Sequence, residues 1–433
     1  MKNTWRTLNS LLGKAKKHSA QSIKINGALS YSSIDIADAF NDFFTKVPKK
    51  LHAKLPKRDR MSFRKYLGPR FQHSIFLNQT TLAEVNELLH EMKPKHSCGY
   101  DNLSPYIIKT LPIKLRQALV HIFNLSLKNG EFILKFKIGK VIPIYKDGSK
   151  KLMENYRPVC LLPSVSKLLE KIMYNRVNDF LCTRNFFYDR QFGFRKSSST
   201  ELAAIYLINQ ITEAINNKRC VGAVFLDMSK AFDCVDHSIL LNKLHHFGIR
   251  GVAFKWFESY FLEREQIVTY ANEISLNKNL VKCGTPQGSV LAPLLYLIYV
   301  NDMYRCTCET TPIFYADDTT LISFQNSEND VVNSINRDLA QVNEWLICNK
   351  LTLNSGKSKF IMFGRKKKKE GCDLHVAIND DKIKRVSTTK FLGILINEKL
   401  SWKEHMMKIL SKIQRNLGLI YKIKHYLNKN VLL

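Results

Sequence analysis

FYADDTTL, residues 314–321, is the stretch on which the reading of this chain turns. Two carboxylates, Asp317 and Asp318, stand side by side between short apolar runs: Ile313, Phe314 and Tyr315 before them, Thr319 to Ile322 after. The pattern predicts a tight β-hairpin with the acids at or beside its tip. Unpaired carboxylates are costly to desolvate, so buried strands do not normally end in two of them. A divalent cation resolves the conflict, because Mg²⁺ is commonly held by one or two carboxylates together with substrate phosphates. An Asp-Asp pair alone also fits an ordinary surface turn, and the rest of the chain has to decide.

Bulk properties narrow the field. A chain of 433 residues that is 45% hydrophobic can bury a large core, and its length suggests two to three units. The formal net charge of +30 repels itself unless a polyanion is near, which makes nucleic acid the leading partner and an anionic membrane the second. No apolar run approaches the roughly 18 residues of a membrane helix, so no membrane partner is expected. The first 21 residues are polar and basic, unlike a signal peptide. The ten cysteines contain no CxxC pair, Cys306 and Cys308 being the closest two, and the twelve histidines form no HExxH. That argues against a disulfide framework or a structural zinc, and for reduced core cysteines in an intracellular protein.

A second acid stands at the end of a strand. VGAVFL, 221–226, is a continuous apolar run of strand length that stops at Asp227, and an acid beyond a buried strand is a site candidate. Helical spacing marks 34–44, 80–92, 115–127, 201–216, 253–262 and 328–349, and a helix closing at Phe247 before Gly248. Val141, Ile142 and Ile144 make a strand before the turn signal Asp147-Gly148, and 155–171 reads as loop then helix. Residues 267–270 and 280–283 read as paired strands. GTPQGS, 284–289, is a turn that lets backbone approach a ligand and opens an apolar helix from Val290 to about Tyr304. Residues 351–363 read as a turn followed by a strand, 374–378 and 391–396 as strands, and a basic helix is expected from Trp402. The Pro- and Lys-rich 46–60 reads as a solvated linker or a phosphate-tracking arm, and RKKKK at 365–369 as a loop tip or a backbone contact. No internal repeat is visible, and the irregular alternation predicts an α+β or mixed core.

If the strand end and the hairpin meet, Asp227, Asp317 and Asp318 crowd like charges within a few ångström. Without a metal, at least one pKa must rise. With two divalent ions about 3.5–4 Å apart, such a cluster suits in-line phosphoryl transfer. Lys146 beside the Asp147-Gly148 turn and Arg157 before Pro158 are cations suited to a triphosphate, and each also reads as a plain surface charge.

Taken in order, these stretches resemble the reverse transcriptases of non-long-terminal-repeat (LINE-type, Jockey-like) retrotransposons, over about 93–402. FLDMSKAFDCVDH (225–237) is similar to the first catalytic motif of the palm, GTPQGSVLAPLLYLIYVNDM (284–303) to the second, FYADDTTL to the third and LTLNSGKSKFIMF (351–363) to the fourth. FLGILINEKLSW (391–402) resembles the strand pair leading into the thumb. KHSCGYDNLSP resembles the N-terminal extension motif, and VIPIYKDG, NYRPVCLLPSVSKLLEK and QFGFRKSSST resemble finger motifs.

The resemblance implies an α+β right-hand polymerase: fingers, a palm with antiparallel sheet and catalytic hairpin, and a partial thumb. The division would be 1–78 as basic extension, 79–125 as extension helices of the fingers, 126–396 as reverse transcriptase domain and 397–433 as a thumb cut short. It implies RNA-directed DNA polymerisation on an RNA template from a DNA primer with deoxynucleoside triphosphates, using two Mg²⁺ ions with Mn²⁺ as an alternative. Asp227, Asp317 and Asp318 would bind metal, and Lys357 would protonate the leaving pyrophosphate. Phe232 would exclude a ribose 2′-OH, Gln287 and Gly288 would line the nucleotide pocket, Lys146 and Arg157 would hold the triphosphate, and Tyr315 would lie near the primer end. The family's endonuclease region and C-terminal Cys/His knuckle have no counterpart here, which suggests a fragment or truncated copy. A nucleic-acid-binding remnant without activity is the alternative, and an RNA-dependent RNA polymerase a third, disfavoured by Phe232. The resemblance places the protein inside the cell, in cytoplasm and nucleus, and not secreted.

Overall fold

In the computed structural model, which describes residues 22–364, 375–378 and 381–424, the apolar run becomes the strand Cys220–Leu226. Helices and sheets are mixed, and the chain forms two units that interleave in sequence. The first takes residues up to 54, 71–180 and 232–292; the second takes 55–70, 181–231 and 293 onward.

The second unit is built on a six-stranded sheet in the order Val376–Ile378, Asp381–Arg385, Lys359–Phe363, Cys220–Leu226, Asp318–Gln325, Thr311–Tyr315. Cys220–Leu226 has strands on both sides and packing on both faces, which is why it is apolar without alternation. On one face Val221 and Ala223 join Leu207 and Ile211 of the helix Thr200–Asn216, with Phe391 and Ile396. Against the other runs the helix Glu328–Cys348. Its Val331 comes so close that a Cβ at Gly222 would collide with it.

The first unit has a smaller sheet. Ile138–Tyr145 pairs antiparallel with Tyr156–Leu161 and parallel with Glu265–Tyr270, and the short strands Glu273–Ile274 and Asn279–Leu280 both pair with Glu265–Tyr270. The helix Ser33–Ala53 lays Ile36, Ala37 and Phe40 onto Val141, Tyr156 and Val268. Helix starts follow local chemistry in both units. Ser32, Thr81, Ser199, Asp236 and Ser327 each accept a backbone N–H three residues on, satisfying a donor the first turn leaves over.

Several elements differ from the expected ones. Tyr156–Leu161, read as loop, is a strand, because Ile138–Tyr145 supplies a partner across six residue pairs. The first helix does not stop near Phe44; it continues through Pro48 to Ala53. Beyond it Arg58 is no free arm: its Nε and Nη2 bind both oxygens of Glu344 at 3.0 and 2.9 Å. The apolar helix after the GTPQGS turn is shorter, Ala292–Val300, followed by the 3₁₀ turn Met303–Cys306. The strand expected at 391–396 is two, Thr388–Phe391 and Ile394–Asn397, around Leu392 and Gly393 at φ 44° and 102°. Residues 365–369 lie outside the described residues.

Asp338, 3% exposed on the helix Glu328–Cys348, organises the entry to the hairpin. Its carboxylate accepts the N–H groups of Cys308, Glu309 and Thr310 at 3.1, 3.0 and 2.7 Å, and the Thr310 hydroxyl at 2.7 Å. Asp338→Ala is expected to lower the unfolding free energy by about 3 kcal/mol, since it strands buried donors. Denaturant titration checks this; a loss below about 1 kcal/mol would mean the loop finds other acceptors.

Candidate active site

The acids at 317 and 318 sit on the second unit's hairpin. Tyr315 and Asp318 form its closing pair, leaving Ala316 and Asp317 as a two-residue loop. Ala316 has φ +58° and Asp317 is not in the positive range. Positive φ at the first loop residue alone is the pattern of a II′ turn, normally given to glycine. Left-handed backbone at a residue with a Cβ costs about 1–2 kcal/mol.

Gln191 holds that conformation in place. The side chain is 4% exposed, and its Oε1 accepts the N–H of Ala316 at 3.1 Å and that of Gly193 at 2.8 Å. The Phe192 N–H donates to the Phe314 carbonyl and the Phe314 N–H to the Arg190 carbonyl. A Cβ at Gly193 would collide with the Ala316 backbone nitrogen. QFG, 191–193, is therefore the cradle of the acidic turn. Its signal in the sequence was a glycine between two aromatics, but its partner lies 125 residues away.

Asp227 ends the central strand of the same sheet. The ladder with Asp318–Gln325 runs from Gln325↔Cys220 to Thr319↔Leu226. Asp227 follows Leu226 and Asp318 precedes Thr319, so the two acids flank the last pair of the ladder, with Asp317 next in the turn. Asp227 and Asp317 are half-buried and Asp318 is exposed. Like charges directly opposite on a sheet repel, so this end of the sheet favours a cation. Among the described residues no group of three or more His, Cys, Asp or Glu is gathered so as to hold a metal ion on its own. Mg²⁺ usually keeps waters and takes one or two carboxylates plus substrate phosphates; the oxygen-only pair at the strand end fits an ion arriving with a nucleotide.

The segment 351–358 is laced to the same strand end. The Asn354 N–H donates to the Asp227 carbonyl at 2.8 Å, the Asp227 N–H to Ser358 Oγ at 3.2 Å, and the Ser229 N–H to the Thr352 carbonyl at 2.9 Å. Asn354 in turn receives the Lys357 N–H on its Oδ1 at 3.2 Å. Lys357 is thus exposed on a turn pinned beside Asp227. Tyr315 is half-buried at the closing pair of the hairpin.

The remaining candidates belong to the first unit and gather around the strand Tyr156–Leu161. Arg157 is exposed, opposite Ile144, and Lys146 is exposed one residue past the Tyr145↔Tyr156 pair. The Gln287 carbonyl accepts the Cys160 N–H at 2.8 Å, and its Nε2 donates to Asp233 Oδ1 at 2.7 Å. Gly288, at φ +131°, leaves no room for a Cβ, which would collide with the Cys160 carbonyl oxygen. The Phe232 carbonyl accepts the Thr285 N–H at 2.9 Å. Glu170 was not foreseen. It is wholly buried, and its Oε2 accepts Ser289 Oγ at 2.6 Å and the Val290 N–H at 2.8 Å. Nothing in its helical sequence context, SKLLEK, separates it from a surface glutamate.

A family model described as reverse transcriptase (RNA-dependent DNA polymerase) matches residues 144–396. The chain is 29% identical over 354 residues to a probable RNA-directed DNA polymerase from transposon BS of Drosophila melanogaster, covering 77% of this chain and 38% of that protein. It is 30% identical over 347 residues to the RNA-directed DNA polymerase from mobile element jockey of Drosophila funebris, covering 78% and 37%. Against a probable RNA-directed DNA polymerase from transposon X-element of Drosophila melanogaster the figures are 28% over 352 residues, 79% and 37%. The chain spans about two fifths of the length of these relatives.

Gln191→Ala should destabilise the second unit by about 2 kcal/mol, because it leaves two buried N–H groups without an acceptor. Gly193→Ala should be at least as severe, since backbone must shift. Thermal or chemical unfolding tests both; wild-type stability in either variant would show that the turn does not depend on this cradle.

Proposed function

The chain belongs to the reverse transcriptase (RNA-dependent DNA polymerase) family, and on that premise we propose that it extends a DNA primer along an RNA template, adding deoxynucleotides in a palm-like second unit. The observation that carries the proposal is the ladder register that ends at Thr319↔Leu226, where Asp227 follows one strand and Asp318 begins the other, with Asp317 in the adjoining turn. In this reading the second unit's sheet is the palm, antiparallel from Lys359–Phe363 through Thr311–Tyr315 as expected but parallel between Lys359–Phe363 and Asp381–Arg385, and the helix Lys403–Ile423 begins the thumb.

Asp227, Asp317 and Asp318 would hold Mg²⁺, or Mn²⁺ in its place. Two such ions when bound supply an activated attacking oxygen and a hold on the departing pyrophosphate. The chain's own groups do the rest. Lys357, exposed on its pinned turn, is assigned the proton that the leaving pyrophosphate takes up. Tyr315 is assigned to the primer end. In the first unit Lys146 and Arg157 are assigned to the triphosphate, Arg157 as a bidentate fork and Lys146 as a point charge. Gln287 and Gly288 border the nucleotide, and the Phe232 ring leaves no room for a 2′-OH. The formal charge of +30 suits a template and primer backbone. No helix among the described residues is long and apolar enough to cross a membrane. From the family we place the protein in cytoplasm and nucleus.

Extension of a DNA primer on an RNA template is the decisive assay, with Mg²⁺ and with EDTA. Asp317→Ala and Asp318→Ala are each expected to lower extension roughly 10³-fold or more, the scale of losing charge stabilisation in a transition state, with RNA binding nearly intact. Substantial extension by either variant, or by wild type in EDTA, would defeat the assignment. Phe232→Ala should admit ribonucleotides; unchanged discrimination in a competition assay removes its gate role. Affinity for primer–template should fall steeply with salt as counterions are released, and a flat response would give the charge another purpose.

A further inference from the structure

A cavity of about 70 Å³ lies inside the first unit, room for several waters rather than one. Phe44 and Pro48 of the first helix form part of its wall, with Lys137, Arg264, Thr285 and Gln287. Two of these are cations that the fold has taken out of water: Arg264 is 3% exposed and Lys137 5%. Arg264 donates Nη1 to the Tyr260 carbonyl at 3.0 Å and lies over the Tyr260 ring at 4.5 Å. Its Nη2 finds no hydrogen-bond partner, and neither does the buried Thr285 Oγ1. Burial holds the Lys137 ammonium below its ordinary pKa.

Two carboxylates, Asp233 and Glu265, share the wall with these cations. Asp233 accepts the Gln287 amide, and Glu265 faces Lys278 at 3.7 Å. Among the described residues neither Arg264 nor Lys137 forms an ion pair within 4.0 Å. Glu263 and Glu131 act on Lys137 only from farther off; buried charge without a close partner is unfavourable, and a native fold seldom leaves several such donors together around one void. A guanidinium fork, a hydroxyl and an ammonium form a donor set for an oxyanion; the flat fork and the point charge divide the work of binding one.

We propose that this cavity is a binding site for a small tetrahedral oxyanion of the phosphate class. Lys146 and Arg157 do not line it, so it is not the triphosphate contact assigned to them. Gln287 does, through the same turn that Glu170 and Cys160 hold. A bound oxyanion would add a further anchor to that turn. The inference concerns binding alone and shares Gln287 with the nucleotide pocket proposed above.

The test is calorimetric titration of the full chain with inorganic phosphate at constant ionic strength, beside thermal unfolding under the same conditions. A saturable one-site isotherm is expected, with a melting temperature that rises with phosphate as binding linkage requires. Sulfate should compete and chloride should not. Lys137→Gln and Arg264→Lys should each weaken the site by about tenfold or more, the scale of one charge-assisted contact, while exposed Lys390→Ala should leave it unchanged. If Arg264→Lys fails to fold, Lys137→Gln carries the comparison. Displacement of phosphate by deoxyadenosine monophosphate would assign the site to a nucleotide's phosphate group, and no displacement to the free ion. A response that does not saturate, or that is the same in wild type and Lys137→Gln, would be general screening of a highly basic chain and would overturn the proposal.

Discussion

The antiparallel ladder between Cys220–Leu226 and Asp318–Gln325 is the constraint on which the candidate site rests. A strand with one wet face has its register chosen by which residues must be buried. This strand is buried on both faces, so a one-residue slip would still bury an apolar set, and hydrophobicity cannot choose. Shape does. Gly222 stands opposite Ser323, and both meet the helix Glu328–Cys348. Val331 closes over Gly222, and Ser323 Oγ lies 2.6 Å from Ser334 Oγ. A slip would bring Val221 or Ala223 to the place where no Cβ fits. Two small residues in the middle of the ladder thereby decide which residue faces Asp227 at its end.

The same end is held from two other directions. Gln191 fixes the turn that carries Asp317, and Asn354 and Ser358 fix the backbone of Asp227. Strain at Ala316 persists because a buried acceptor and a close-packed glycine surround it. Sites whose reacting groups sit on rigid elements, with their supports already bonded, lose little order when a ligand binds. The acidic turn has that construction.

Legibility from sequence followed the range of the interactions. The long periodic helices and the apolar strand before Asp227 were readable because their signals are local. Tyr156–Leu161 was not. It carries a proline at 158 and becomes a strand through its pairing with Ile138–Tyr145. The continuation of the first helix through Pro48 was hidden for a related reason. Proline is a strong breaker signal, yet here it is buried within the helix. The candidate acids themselves were visible as residue types at strand ends. Their supports, Gln191 and Asp338, were not, because each acts on atoms that only the fold brings near.

Around the turn 284–289 the structure separates two explanations that sequence runs together. A glycine at 288 needs no ligand to account for it, since the Cys160 carbonyl leaves no space for a side chain and the backbone there has positive φ. Gln287 is different. Its main chain is bonded to Cys160 and its amide nitrogen to Asp233, which fixes the side chain's orientation and leaves its oxygen and its second N–H to present onward. An acceptor held in one orientation from both sides can distinguish donors on a ligand, whereas a freely rotating amide would offer either end. Asp233, next to Phe232 in the chain, is therefore the residue that sets which way the Gln287 amide points.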